Sequence, residues 1–159
     1  MSSTSSGSSR ARRWSREGGR ATVLAPAQVA QRQVAALNRR DLDALMALYA
    51  EDATLEFPAS PMVQGQRAIR EAFSRFFQDW EEEITLRRVV AAGEVVAAEG
   101  IAQGRHRTLH LRIPGRITGP RRTYSHRFAV FLEVEQGKIR RHRVYYDSRD
   151  LVRQLLGGG

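Results

Sequence analysis

The sequence predicts an α+β domain: a curved antiparallel sheet wrapped by helices around a pocket, in the shape of a cone. Three observations carry this. Ile69, Ala72, Phe73, Phe76, Phe77 and Trp80 recur at helical spacing. That aromatic stripe must lie on something large and apolar, such as a sheet. Residues 83–146 then hold four strand-like segments, in one of which Tyr124, His126, Phe128, Val130, Leu132 and Val134 share one parity. The element order is α-α-β-α-β-β-β-β-α, which sets helices beside a run of antiparallel strands. A bent sheet closed by helices leaves a conical hole, a natural place for a small molecule.

Residues 1–24 come first. "MSSTSSGSSRARRWSREGGR" is low-complexity Ser, Gly and Arg, too poor in apolar surface to offset the entropy of ordering. A disordered tail is expected there, with the folded domain over 25–157. Pro26 suits a helix start, and Val29, Val34, Ala36 and Leu37 give that helix an apolar face to about Arg39. Asp41 can cap a second short helix whose apolar side is Leu42, Leu45, Met46, Leu48 and Tyr49. "DATLEFP" (52–58) alternates like a strand and ends at Pro58. "ASPMVQGQ" reads as a loop before the aromatic helix. Strands follow over 83–90 and 94–104 around Ala91-Ala92-Gly93, then a loop over 114–121, then strands over 123–134 and 139–146 around the turn Gln136-Gly137. A short helix opens at Asp147.

Composition excludes several functions. The chain has 159 residues and no cysteine, so disulfides, thiolate nucleophiles and cysteine-ligated metals are ruled out. No apolar run approaches the roughly 20 residues of a membrane span. "RRWS" (12–15) is followed by no apolar segment, so a twin-arginine export signal fails, and the expected location is the cytoplasm. The net charge is +9, with Lys138 as the single lysine. The arginines are spread along the chain without a stacking platform of aromatics, which argues against nucleic acid. His106 and His110 alone make no metal site, "GEVVAAEG" lacks the spacing of a phosphate loop, and no cofactor or metal is expected.

"ALNRRDLDALMALYAEDATLEFP" (36–58), "VQGQRAIREAF" (63–73) and "GKIRRHRVYYDSRDLVRQL" (137–155) resemble the nuclear transport factor 2-like superfamily, and within it the SnoaL-like, polyketide cyclase-like branch. The resemblance implies a cone fold over roughly 27–157, a small hydrophobic cyclic or polyketide-like ligand, and cofactor-independent cyclase or isomerase chemistry. It also implies the alternative of a non-catalytic ligand-binding or dimerisation domain. The general base of ketosteroid isomerases in this superfamily falls on Phe57, their oxyanion tyrosine near Gln33 and their neutral oxyanion aspartic acid near Val130. All three groups are missing, so that isomerisation mechanism is not expected. Of the two aspartates that follow a histidine in the polyketide cyclases, the first falls on Val144 and the second on Asp147, the histidine being His142.

The candidate catalytic residues are thus Asp147, His142 and Glu99. Asp147 has two readings: a base at the pocket mouth, or the N-cap of the last helix. His142 shares parity with Val144 and Tyr146, and is either an acid/base group facing the pocket or a wall histidine. Glu99 is an acid in an apolar strand, a base only if it faces inward. The expected pocket lining is Tyr49, Phe57, Phe73, Phe77, Trp80, His126, Phe128, Val130, Val144 and Tyr146, with His126 and His142 sharing one wall. Arg141, Arg143 and Tyr145 take the opposite parity, on a convex face through which the resemblance implies a homodimer.

Overall fold

The structure is a computed structural model that describes residues 22–107 and 123–157. The expected loop over 114–121, His110 and nearly all of the tail lie outside the described residues. Helix α1 (Pro26–Arg39) starts on its proline and ends where Arg40 takes a left-handed backbone. Asp41 caps α2 (Leu42–Met46) by accepting from the Ala44 amide at 2.9 Å. The chain continues through β1 (Tyr49–Glu56), β2 (Val63–Gln64), α3 (Gln66–Asp79), β3 (Trp80–Ala92), β4 (Val95–His106), β5 (Thr123–Glu135), β6 (Lys138–Tyr146) and α4 (Ser148–Leu156). Leu24 already packs against the core, just ahead of the expected domain start.

Three elements differ from the sequence expectation. Tyr49 is not on the apolar face of α2 but is the first residue of β1. The apolar spacing 42, 45, 46, 49 continues as if helical, yet β6 captures the chain: the Ile139 amide donates to Leu48 O at 2.7 Å, and Tyr49 pairs with Ile139. Val63–Gln64, expected as loop, pairs with Thr54 and Leu55. Trp80 ends the helix and opens β3 in extended conformation, pairing with His106.

The strand order is β2-β1-β6-β5-β4-β3. All pairs are antiparallel except β1 with β6, which is parallel. Because α3 leaves β2 at one edge and delivers β3 at the other, it must cross the width of the sheet. It does so with Ile69 and Phe73 buried. One extra residue bends the sheet in two places, Arg87 in β3 and Arg140 in β6. Gly100 serves the same curvature. A Cβ there would lie 2.3 Å from the Thr85 carbonyl oxygen and 2.9 Å from the Phe128 ring, so no larger residue lets β3 and that ring come so close.

The main core joins α1, α2, α3 and the sheet. Leu45, Leu55, Ile69, Leu132 and Ile139 are fully buried in it, each contributing about 1.5–3 kcal/mol. A second cluster sits at the α4 end, where Leu151 and Leu155 pack with Tyr124, Trp80 and Tyr146. No helix among the described residues is long and apolar enough to cross a membrane.

Candidate functional site

Strand alternation sorts the side chains into an inner and an outer face. On β5, Tyr124, Val130, Leu132 and Val134 are buried, and their odd-numbered neighbours Arg127, Phe131 and Glu133 look outward. Pairing carries the inner face across the sheet. Leu132 sits opposite His142, Val130 opposite Val144, and Phe128 opposite Tyr146. His142 in turn pairs with Leu55 of β1.

His142 is the centre of a buried polar triad. Gln33 Nε2 of α1 donates to the Tyr49 hydroxyl at 2.8 Å and lies 3.1 Å from His142 Nδ1. The Tyr49 hydroxyl and His142 Nδ1 are 2.7 Å apart. Since the tyrosine accepts from Gln33, its own proton goes to Nδ1. That fixes the imidazole proton on Nε2, which no described residue accepts. Burial holds the His142 pKa down, to about 3, so the ring is neutral throughout the physiological range. Burial likewise raises the Tyr49 pKa, the Gln33 hydrogen bond opposing it. The triad therefore presents one neutral N–H donor among apolar groups. Phe57 lies 6.3 Å from the His142 ring and Phe73 6.1 Å from that of Tyr49, while Phe77, Phe128, Val130 and Val144 belong to the same core cluster.

The other expected catalytic residues lie elsewhere. Asp147 Oδ1 accepts from the amides of Arg149 and Asp150, both at 3.0 Å, which makes it the N-cap of α4. Glu99 faces outward: its side chain is 58% exposed and approaches Arg88 at 3.8 Å. Outward too are Arg141 and Arg143, which share Glu133 at 3.3 and 3.1 Å, and Tyr145, edge-on to Phe131. Beside them an open groove of about 390 Å³ is lined by paired charges such as Asp52, Glu135 and Arg140.

The expected pocket lining divides in two. Trp80 and Tyr146 belong to the α4-end cluster, and His126 contacts Tyr124 and Tyr146 there. His126 and His142 do share a face but not a site, because six residues of β5 separate His126 from Leu132, about 20 Å at the rise of a strand.

Two inward polar residues were not among the expected site residues. Gln33 stands four residues after Val29 and three before Ala36, on the buried stripe of α1, so helical spacing was the available signal. Glu82 shares parity with Ile84 and Leu86 and accepts from the Tyr124 hydroxyl at 2.6 Å. Burial raises its pKa, opposed by that hydrogen bond and by His126. Among the described residues it is the one carboxylate on the sheet's inner face.

A curved, unclosed six-stranded sheet with helices laid across its concave side defines the nuclear transport factor 2-like cone. The SnoaL-like domain profile matches residues 30–142, and the chain belongs to that family. Solved structures agree in fold. A protein provisionally assigned as a polyketide cyclase from Xanthomonas campestris pv. campestris is 28% identical, with a TM-score of 0.70, covering 82% of this chain and 99% of its own. An LEH-like epoxide hydrolase of M. tuberculosis is 22% identical, with a TM-score of 0.67 and coverage of 84% and 90%. An NTF2-like protein from Burkholderia thailandensis E264 is 23% identical, with a TM-score of 0.67 and coverage of 82% and 97%.

Proposed function

We propose that this protein binds a small hydrophobic, ring-bearing molecule inside its cone and that His142 Nε2–H donates to a carbonyl oxygen of that molecule. The observation that carries this is the triad. Three polar side chains in a core cost stability unless fully hydrogen-bonded, and here the network leaves one donor without an acceptor among the described residues. The aromatic rings of Phe57, Phe73, Phe77 and Phe128 supply the apolar surroundings a ring system needs.

Asparagine at position 142 separates the two roles of the histidine. It keeps an acceptor for Tyr49 and removes the Nε2 donor. In a thermal-shift screen, cyclic ketones at about a hundred times their Kd should raise the wild-type melting temperature by about 5–10 °C. The matching hydrocarbons should bind more weakly. In His142→Asn the preference for the ketone should vanish while hydrocarbon binding stays. Equal preference in both proteins, or no response to any ring compound, would refute the proposal.

A cofactor-independent cyclase or isomerase is the second reading, favoured by the cyclase and hydrolase assignments of the structural neighbours. A neutral imidazole that polarises a carbonyl would serve such chemistry, but a proton acceptor is needed beside it. Among the described residues the inner face offers only Glu82, at the far end of the sheet. Binding is therefore the activity the geometry supports best. A homodimer through the outer face belongs to the same proposal, supported by exposed Val95, Phe131 and Tyr145.

A further inference from the structure

Glu82 and Glu81 are neighbours with opposite fates. Glu81 points outward and is paired with both Arg105 and Arg107. Glu82 points inward, is largely buried, and has no arginine or lysine partner among the described residues. In a chain of net charge +9, a largely buried carboxylate that faces only the imidazole of His126, and no guanidinium or ammonium, among the described residues is an exception. Burying a charge is costly unless a counter-charge comes with it.

Aromatic rings surround this carboxylate. Phe76 stacks on Trp80 at 6.1 Å, and Trp80 stands edge-on to Tyr124 at 5.4 Å. Tyr124 stacks on His126 at 5.7 Å, and His126 meets Tyr146 at 4.8 Å. The floor between the two walls is nearly bare. Glu82 pairs with Gly104 and Gly104 with Tyr124, while the next inward residue of β4 is Ala102. The Glu82–Tyr124 hydrogen bond therefore spans a strand that raises no side chain between them. Glu82, Trp80, His126 and Tyr146 each keep some exposure, so a solute can reach them. Above, α4 contributes Leu151 and Leu155. Gln154 fastens that helix to β5 by accepting from the Ser125 amide at 2.9 Å and donating to its carbonyl at 3.0 Å.

We propose that Glu82, with the rings of Trp80, Tyr124, His126 and Tyr146, forms a second binding site at the α4 end of the cone, for a small molecule carrying a protonated amine or quaternary ammonium group. Glu82 supplies the counter-charge and Tyr124 holds it in place. The ring faces attract the cation through their quadrupoles, an interaction strengthened by partial burial. The site is independent of the triad, since Tyr124 lies eight residues along β5 from Leu132, the partner of His142.

Benzylammonium and its neutral counterpart benzyl alcohol are the probes, titrated by calorimetry into the full chain. The wild type should bind the ammonium at least about tenfold more tightly than the alcohol. Glu82→Gln retains an acceptor for Tyr124 and should bring the two probes to equal affinity. Trp80→Leu should weaken the ammonium several-fold without changing the charge of the site, which keeps the proposal testable if Glu82→Gln folds poorly. His142→Asn should leave ammonium binding unchanged. The proposal is overturned if the wild type shows no preference for the ammonium. It is equally overturned if folded Glu82→Gln and Trp80→Leu both retain that preference, or if His142→Asn abolishes it.

Discussion

His142→Asn also measures how strongly the core resists a charge. Burial depresses the folded pKa of His142 from 6.5 to about 3. The unfolded chain therefore takes up the proton first as the pH falls. The sign follows: stability from this group is complete above the unfolded pKa, and it drains away as pH drops toward the folded value. The slope is roughly 1.4 kcal/mol per pH unit between the two pKa values. From pH 7 to pH 4.5 the wild type should lose about 2–3 kcal/mol through this residue alone. Asparagine does not titrate, so its loss over the same range should be smaller by that amount. Other groups, Glu82 and the surface ion pairs included, are common to both proteins and cancel in the difference. Urea denaturation followed by tryptophan fluorescence at pH 7, 5.5 and 4.5 gives the two curves. The gap between them should change by about 1 kcal/mol at pH 5.5 and about 2–3 kcal/mol at pH 4.5. Parallel curves would refute the reasoning, since they would mean that His142 is hydrated in the folded protein and titrates there much as it does when unfolded.

Asp147→Ala removes the acceptor for two amides at the start of α4 and should cost about 1 kcal/mol in denaturant melts. Ketone binding should be unaffected, and a folded variant that no longer binds would make Asp147 part of the site. The outer face is tested by light scattering after gel filtration. The wild type should run as a dimer and Phe131→Arg as a monomer, whereas a monomeric wild type would remove that role from Phe131 and Tyr145.

Much of the cone was legible because its strands are half-buried. Alternation on β5 separated Tyr124, Val130, Leu132 and Val134 from Arg127, Phe131 and Glu133, and the buried residues follow it. Asp147 was legible as a cap because capping is local: the acceptor and both donors lie within four residues. Tyr49 was misplaced because the end of α2 is decided by pairing with Ile139, some ninety residues away. Glu82 was missed for a similar reason. "WEEEITL" looks like a solvated run of acids, and only parity with Ile84 turns its middle member inward. Its hydrogen-bond partner Tyr124 is 42 residues away, on a strand it does not pair with directly.

The placement of His142 depends on a single inserted residue. Ile139 and His142 have opposite sequence parity, yet both are buried. The turn at Gln136-Gly137 sets Glu135 opposite Lys138 and Val134 opposite Ile139. Continued without interruption, that register would set Leu132 opposite Arg141 and send the guanidinium inward. Arg140 is the extra residue that prevents this, so that Glu133 meets Arg141 and Leu132 meets His142. The bulge is held from outside, where Arg140 bonds Asp52 at 2.6 Å and Glu135 at 3.0 Å. Each is an exposed pair that contributes little to stability alone. Their effect is positional: they keep the inserted arginine in solvent and thereby keep the imidazole, with its Nε2 donor, inside the cone. Arg140, two residues before His142, thus sets the register that buries the imidazole.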